Sequence, residues 1–111
     1  MKANPARGEV EVVIDGETYV LAGTFGGLAR LQSAVKVQGL GALLALVNAA
    51  DANALIDGVR CLAIDGDVAK LDKARVSAEQ IRAVKDALLT AIVGIQEPDE
   101  GNAVAAQARP N

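Results

Sequence analysis

An α+β domain, with an N-terminal β-hairpin packed on a small bundle of about four helices, is the fold class this sequence predicts. Three observations carry that reading. Val10, Val12 and Ile14 alternate with Glu9, Glu11 and Val13, the two-residue period of a strand with one buried face. Asp15-Gly16 follows as a two-residue turn whose positive φ angles Asp and Gly tolerate, so the next strand returns antiparallel. Beyond it, apolar residues recur at helical spacing in four successive segments.

The hairpin spans about residues 8–22, and its register can be counted outward from the turn. Ile14 then faces Glu17, Val12 faces Tyr19 and Val10 faces Leu21, all on one face. A slip of one residue would carry Glu9 and Glu11 to the core side, so the register is strongly specified. In the expected register both acids lie on the outer face, where charge discourages edge-to-edge pairing. A lone hairpin is marginal in water. Its apolar face needs a cover, and the helix that follows is the nearest in sequence. Residues 1–7, with Pro5 and polar neighbours, read as a loose leader.

The helices follow in order. Thr24 stands where its hydroxyl can cap the start of the first. That helix carries Phe25, Leu28, Gln32 and Val35 on one stripe with Leu31 beside it. Gly26 and Gly27 in its first turn weaken it by roughly 1 kcal/mol each relative to Ala, which points either to close packing against the hairpin or to a merely tolerated pair. Gly39 and Gly41 break it from a second helix, where Leu40, Leu43, Leu44 and Val47 recur without a charge among them. This second helix is expected to be the most buried. Asp51 caps a third, bearing Leu55, Val59 and Leu62, with Ile56 and Ala63 widening the stripe. Residues 59–71 also admit a second hairpin, since LAIDGDVAKL echoes VVIDGETYVL. Counting from Asp65-Gly66, however, pairs Leu62 with Ala69 and Cys61 with Lys70, a poorer face, so helix ending at Asp65-Gly66 is preferred. Ser77-Ala78-Glu79-Gln80 forms a capping-box pattern ahead of Ile81, Val84, Leu88, Ile92 and Ile95, and Glu97-Pro98 stops that helix.

The totals bound the rest. The 111 residues make one domain, with an ordered core expected over about 8–96 and a flexible tail over 97–111. One Phe, one Tyr and no Trp leave the core to aliphatic side chains. A net charge of −3 and no run of Lys or Arg argue against nucleic acid as a partner. A single cysteine excludes an internal disulfide and suits a reducing compartment. No apolar run approaches the roughly 20 residues of a membrane span, and MKANPARGEV lacks the apolar segment of a signal peptide. A cytoplasmic protein with no membrane partner is expected.

No catalytic, cofactor or metal site assembles from the residues. Histidine, the commonest general base and zinc ligand, is absent. Cys61, set among Leu62, Ala63 and Ile64, reads as a buried packing residue without a base to activate it. Asp65, Asp67 and Asp72 lack the spacing and closing glutamate of a calcium loop. Gly23, Gly26 and Gly27 lack the G-x-G-x-x-G spacing of a phosphate loop. No cofactor is expected.

Residues 7–31 carry a resemblance. R-G-E-V-E-V-x-I-D-G-E-x-Y-x-L followed by T-F-G-G-L-A-R-L resembles the small tail-assembly proteins of gene transfer agents and related tailed phages, described as tail-tube related or as tail-assembly chaperones. The match covers about the first quarter of the chain. Beyond it only the helical pattern and the S-x-E-Q helix start fit, and Arg30 and Gln32 stand where the family often carries acids. The resemblance implies a non-enzymatic protein of tail morphogenesis in a bacterial host. It would act as a chaperone that keeps tape-measure or tail-tube subunits from aggregating. The alternatives are a structural tail component of the particle, which would be virion-associated, or a small ligand-binding domain. A chaperone of this kind would offer an apolar face to a partner helix. The candidates are hairpin residues Val13, Thr18 and Val20, or the exposed side of the second helix. Strand propensity alone also accounts for the two valines.

Overall fold

The computed structural model describes residues 1–94. The tail expected over 97–111, and the expected roles of Ile95 on the last stripe and of Glu97-Pro98 as a helix stop, lie outside the described residues. The architecture is α+β, as expected: three antiparallel strands and four α-helices around one aliphatic core. No single helix among the described residues is long and apolar enough to cross a membrane.

Strand β1 (Val10–Ile14) and strand β2 (Glu17–Leu21) form the hairpin. Their register is the one counted from the turn, with Val12 opposite Tyr19 and Val10 opposite Leu21. Asp15 and Gly16 both have positive φ, 49° and 83°, as a tight hairpin turn that follows the strand twist requires. Helices α1 (Phe25–Val35), α3 (Ala52–Leu62) and α4 (Ala78–Val93) start at the three expected caps. Thr24 Oγ1 accepts from Gly27 N at 3.0 Å, Asp51 Oδ2 from Ala54 N at 3.0 Å and Ser77 Oγ from Gln80 N at 3.1 Å. Each satisfies an amide that the helix itself leaves unpaired. Helix α2 (Leu40–Asn48) begins instead at Gly39, whose φ of 90° turns the chain sharply without a side-chain cap.

Several expectations are corrected. The apolar face of the hairpin is covered by α4, with help from α3, whereas α1 packs chiefly on α3. The paired glycines report the same arrangement. A Cβ on Gly27 would stand 2.8 Å from the Cys61 carbonyl oxygen and 3.0 Å from Leu62 Cδ2, so the close packing at the start of α1 is against the end of α3. A Cβ on Gly23 would collide with the Ala91 carbonyl oxygen, so the β2–α1 connection lies directly against α4. Helix α2 is not the most buried. It buries Leu43 and Val47, whereas α3 and α4 bury five residues each. With nine residues and one packed face, α2 leaves its other side in solvent.

Residues 59–71 combine parts of both readings. Helix α3 ends at Leu62, and Ala63–Asp65 then forms strand β3, which pairs antiparallel with β2 across a bulge at Val20/Leu21. After Gly66 the chain enters a 3₁₀ helix, Val68–Lys73, and not a returning strand. Only Leu71 of that segment is buried, so it lacks the alternation that a second hairpin needs.

The leader is also more ordered than its composition implies. Asn4 caps a 3₁₀ turn over Pro5–Arg7, and Gly8 closes it at a φ of 76°. Glu9, expected on a solvated face, is buried. Its carboxylate accepts from Asn4 N at 2.9 Å and lies 3.8 Å from the Arg7 guanidinium. A buried carboxylate needs such donors, and the leader supplies them.

Candidate partner-binding surface

The three hairpin residues proposed as a partner surface separate in the structure. Val13 and Thr18 pair with each other on the outer face of the sheet, and both are exposed, Val13 by 51%. Val20 is 0% exposed, so it is no surface residue in this structure. Because the register is as expected, the correction lies elsewhere: Val20 faces outward, yet its face is covered.

The structure points to a different apolar surface. Phe25, which shares a stripe with Leu28, Gln32 and Val35, is 92% exposed. Geometry explains it. Helix α1 meets α3 through Gly27 and Leu31, both buried, and at about 100° per residue Phe25 lies roughly 200° round the helix from Gly27. The ring therefore projects to solvent at one end of an open groove of about 820 Å³. Leu28, Gln32, Lys36 and Val37 line one side, and Leu40, 44% exposed, lies at the start of α2. Gln32 Oε1 accepts from Gly39 N at 3.0 Å and so holds the α1–α2 connection in place. Lys36, in the left-handed conformation at φ 60°, closes α1 and is the one ionised group on the lining. Isolated exposed apolar residues are ordinary; here Phe25, Leu28, Val37 and Leu40 share one groove with the polar Gln32, Ser33, Lys36 and Gln38.

A second cavity of about 270 Å³ lies between α3, the 3₁₀ connector and α4, walled mainly by Leu55, Ile56, Val59, Leu71, Val76 and Ile81. Its polar neighbours are Asn53 and Asp72 at the margin, and they do not converge as the polar groups of a specific small-molecule site do.

The groups weighed for chemistry are engaged in the fold. Asp67 accepts from Ala69 N at 3.1 Å and caps the 3₁₀ helix, Asp72 pairs with Arg60, and Asp65 lies 3.3 Å from the Met1 ammonium. No group of three His, Cys, Asp or Glu residues among the described residues is placed to hold a metal. Cys61 is half-buried, less than expected, and burial pushes its thiol pKa up. That is the opposite of an activated nucleophile.

The polar side of the sheet stitches the connector to the hairpin. Tyr19 Oη donates to the Asp67 carbonyl at 2.8 Å, Glu17 accepts from Asp67 N at 3.0 Å and from Lys70 Nζ at 3.3 Å, and Asp15 accepts from Arg75 N at 3.1 Å. The Asp67 amide, then the Lys70 ammonium, hold the Glu17 carboxyl below its ordinary 4.5, and the bond to Glu17 raises Lys70. A lowered carboxylate contributes stability above about pH 4.5 that is lost as pH falls through its folded value. The raised lysine contributes below its ordinary range and loses its share only in strong alkali. Glu17→Gln is therefore expected to lower the urea midpoint at pH 7 and to narrow its gap from the parent chain at pH 3. An equal gap at both values would show that these contacts do not titrate with folding.

The fold and this surface define a small α+β protein with an open groove beside the exposed ring of Phe25. No family model, curated protein or solved structure matches the chain.

Proposed function

We propose that this chain is a tail-assembly chaperone of a phage-like particle, binding a tape-measure or tail-tube segment through the groove beside Phe25. One observation carries the reading. The T-F-G-G-L motif, on which the resemblance to gene-transfer-agent tail proteins rests, places its phenylalanine 92% exposed at the edge of an apolar groove. In this fold that ring buries almost nothing, so its contribution is to a partner. An amphipathic helix laid into such a groove would bury the ring together with Leu28 and Leu40. The uncharged lining, Lys36 apart, supports apolar recognition over electrostatic capture.

The test is association of the full chain with purified tape-measure and tail-tube proteins. Phe25→Ala is expected to change folding stability by less than about 0.5 kcal/mol, as an exposed position does. Loss of a buried aromatic anchor is expected to weaken binding by about 30-fold, or roughly 2 kcal/mol. Binding should persist at about 0.5 M salt, where charges are screened within a few ångströms. Absence of binding to either tail protein would remove the chaperone reading. Binding that Phe25→Ala leaves intact would keep the partner and move the surface. A chaperone should also be missing from purified particles, whereas a structural tail component would be found in them.

A further inference from the structure

We propose that the N-terminal residues Met1–Asn4 form a detachable strap over the outer face of the sheet, held on Glu11 and Asp65 and closing Val20 off from water. The pairing of the strands carries the argument. Val20 stands opposite Glu11 of β1 on one side and Asp65 of β3 on the other, so the three make one row across the sheet. Val20 is fully buried yet does not belong to the hydrophobic core that holds its neighbours Tyr19 and Leu21. Its cover must come from the other face.

The leader is anchored at both ends of that row. Ala3 N donates to Glu11 Oε2 at 3.2 Å, and the Met1 ammonium lies 3.3 Å from Asp65 Oδ2. Two strand spacings separate the flanking residues by about 10 Å. The two residues from Met1 N to Ala3 N span up to about 7 Å, and the acidic side chains bridge the remainder. The segment therefore crosses above Val20. Both anchoring carboxylates belong to exposed residues, and exposed polar contacts of this kind hold a segment weakly. Below Asn4 the hold is firmer, because Glu9 is buried against the Asn4 amide and Glu9 N donates to the Asn4 carbonyl at 3.2 Å. The hinge consequently lies at Asn4. With the strap lifted, Val20 is exposed beside Val13 and Thr18 on the outer face, between the Glu11 and Asp65 carboxylates. The leader thus acts as an intramolecular cover for Val20.

Native-state trypsin cleavage of the full chain tests this, because the Lys2–Ala3 bond contains the amide held by Glu11. Cleavage after Lys2 should vary little with urea below the unfolding transition, as a local opening does. Cleavage after Arg82, within α4, should rise steeply with urea, as global unfolding does. Glu11→Ala is expected to speed cleavage after Lys2 by about 2- to 10-fold, the effect of losing one hydrogen bond, while cleavage after Arg82 stays unchanged. Val20→Thr, nearly the same size, should also speed cleavage after Lys2 more than after Arg82. If both bonds show the same urea dependence, or Glu11→Ala leaves Lys2 cleavage unaltered, the strap is wrong. Val20→Thr accelerating both bonds equally would place Val20 in the core and overturn the proposal as well.

Discussion

Leu88→Ala is expected to destabilise the folded chain by about 3 kcal/mol, or roughly 12–24 °C in melting temperature for a domain of this size. Leu88 is fully buried where α4 faces α3, and it fits over Gly58. A Cβ on Gly58 would stand 2.9 Å from both Leu88 methyl carbons. Gly58→Ala alone therefore sets two effects against each other. Replacing a mid-helix glycine gains about 1 kcal/mol, and crowding Leu88 costs about 1–3 kcal/mol, so the variant should be neutral to destabilising. In the Leu88→Ala background the crowding is gone, and the same change should stabilise by about 1 kcal/mol. That reversal of sign, read from urea midpoints of the four chains, is a coupling that independent sites do not show. Additive costs would mean that Leu88 does not sit on Gly58.

Gly66→Ala carries the second large effect, about 2–6 kcal/mol. Its φ of 108° is one that residues with a side chain rarely adopt, which costs about 1–3 kcal/mol. Space is also lacking. The added carbon would lie 2.5 Å from Tyr19 Cδ1, 2.8 Å from the Thr18 carbonyl oxygen and 3.0 Å from Tyr19 Cα. Two of those atoms are backbone of the central strand and cannot swing aside, so an overpacking cost of about 1–3 kcal/mol is added. Gly16 is the control. Its φ is also positive, at 83°, but nothing lies within 4 Å of an added Cβ, so Gly16→Ala should show the conformational part alone. Thermal melts of the two variants should differ by the packing part. Equal losses would mean that Gly66 is not pressed against Tyr19.

Both effects depend on contacts between residues far apart in the chain, and this marks the limit of what could be read in advance. The Asp15-Gly16 turn, the hairpin register, the caps Thr24, Asp51 and Ser77 and the Val84–Leu88–Ile92 stripe were legible. Each is set by residues within about four positions of one another, where turn geometry and helix-end amides admit few solutions. The exposure of Phe25 was hidden for a related reason. Periodicity shows which residues share a stripe but not which stripe is packed, and a glycine such as Gly27 can form the closest contact. Of the candidate surface, Val13, Thr18 and Val20 all lie on the expected outer face, but only Val13 and Thr18 are exposed there.

Residue order alone was enough to specify an α+β protein led by a D-G hairpin, with an aliphatic core and three side-chain-capped helices, because these follow from local stereochemistry and side-chain size. Long-range packing settles that α4 covers the hairpin, that Ala63–Asp65 adds a third strand, that Phe25 faces solvent and that Ala3 reaches Glu11. Those outcomes turn on which surfaces meet when the chain closes. Their energies come from contacts such as Gly23 with Ala91, Gly58 with Leu88 and Ala3 with Glu11, whose partners no local pattern names.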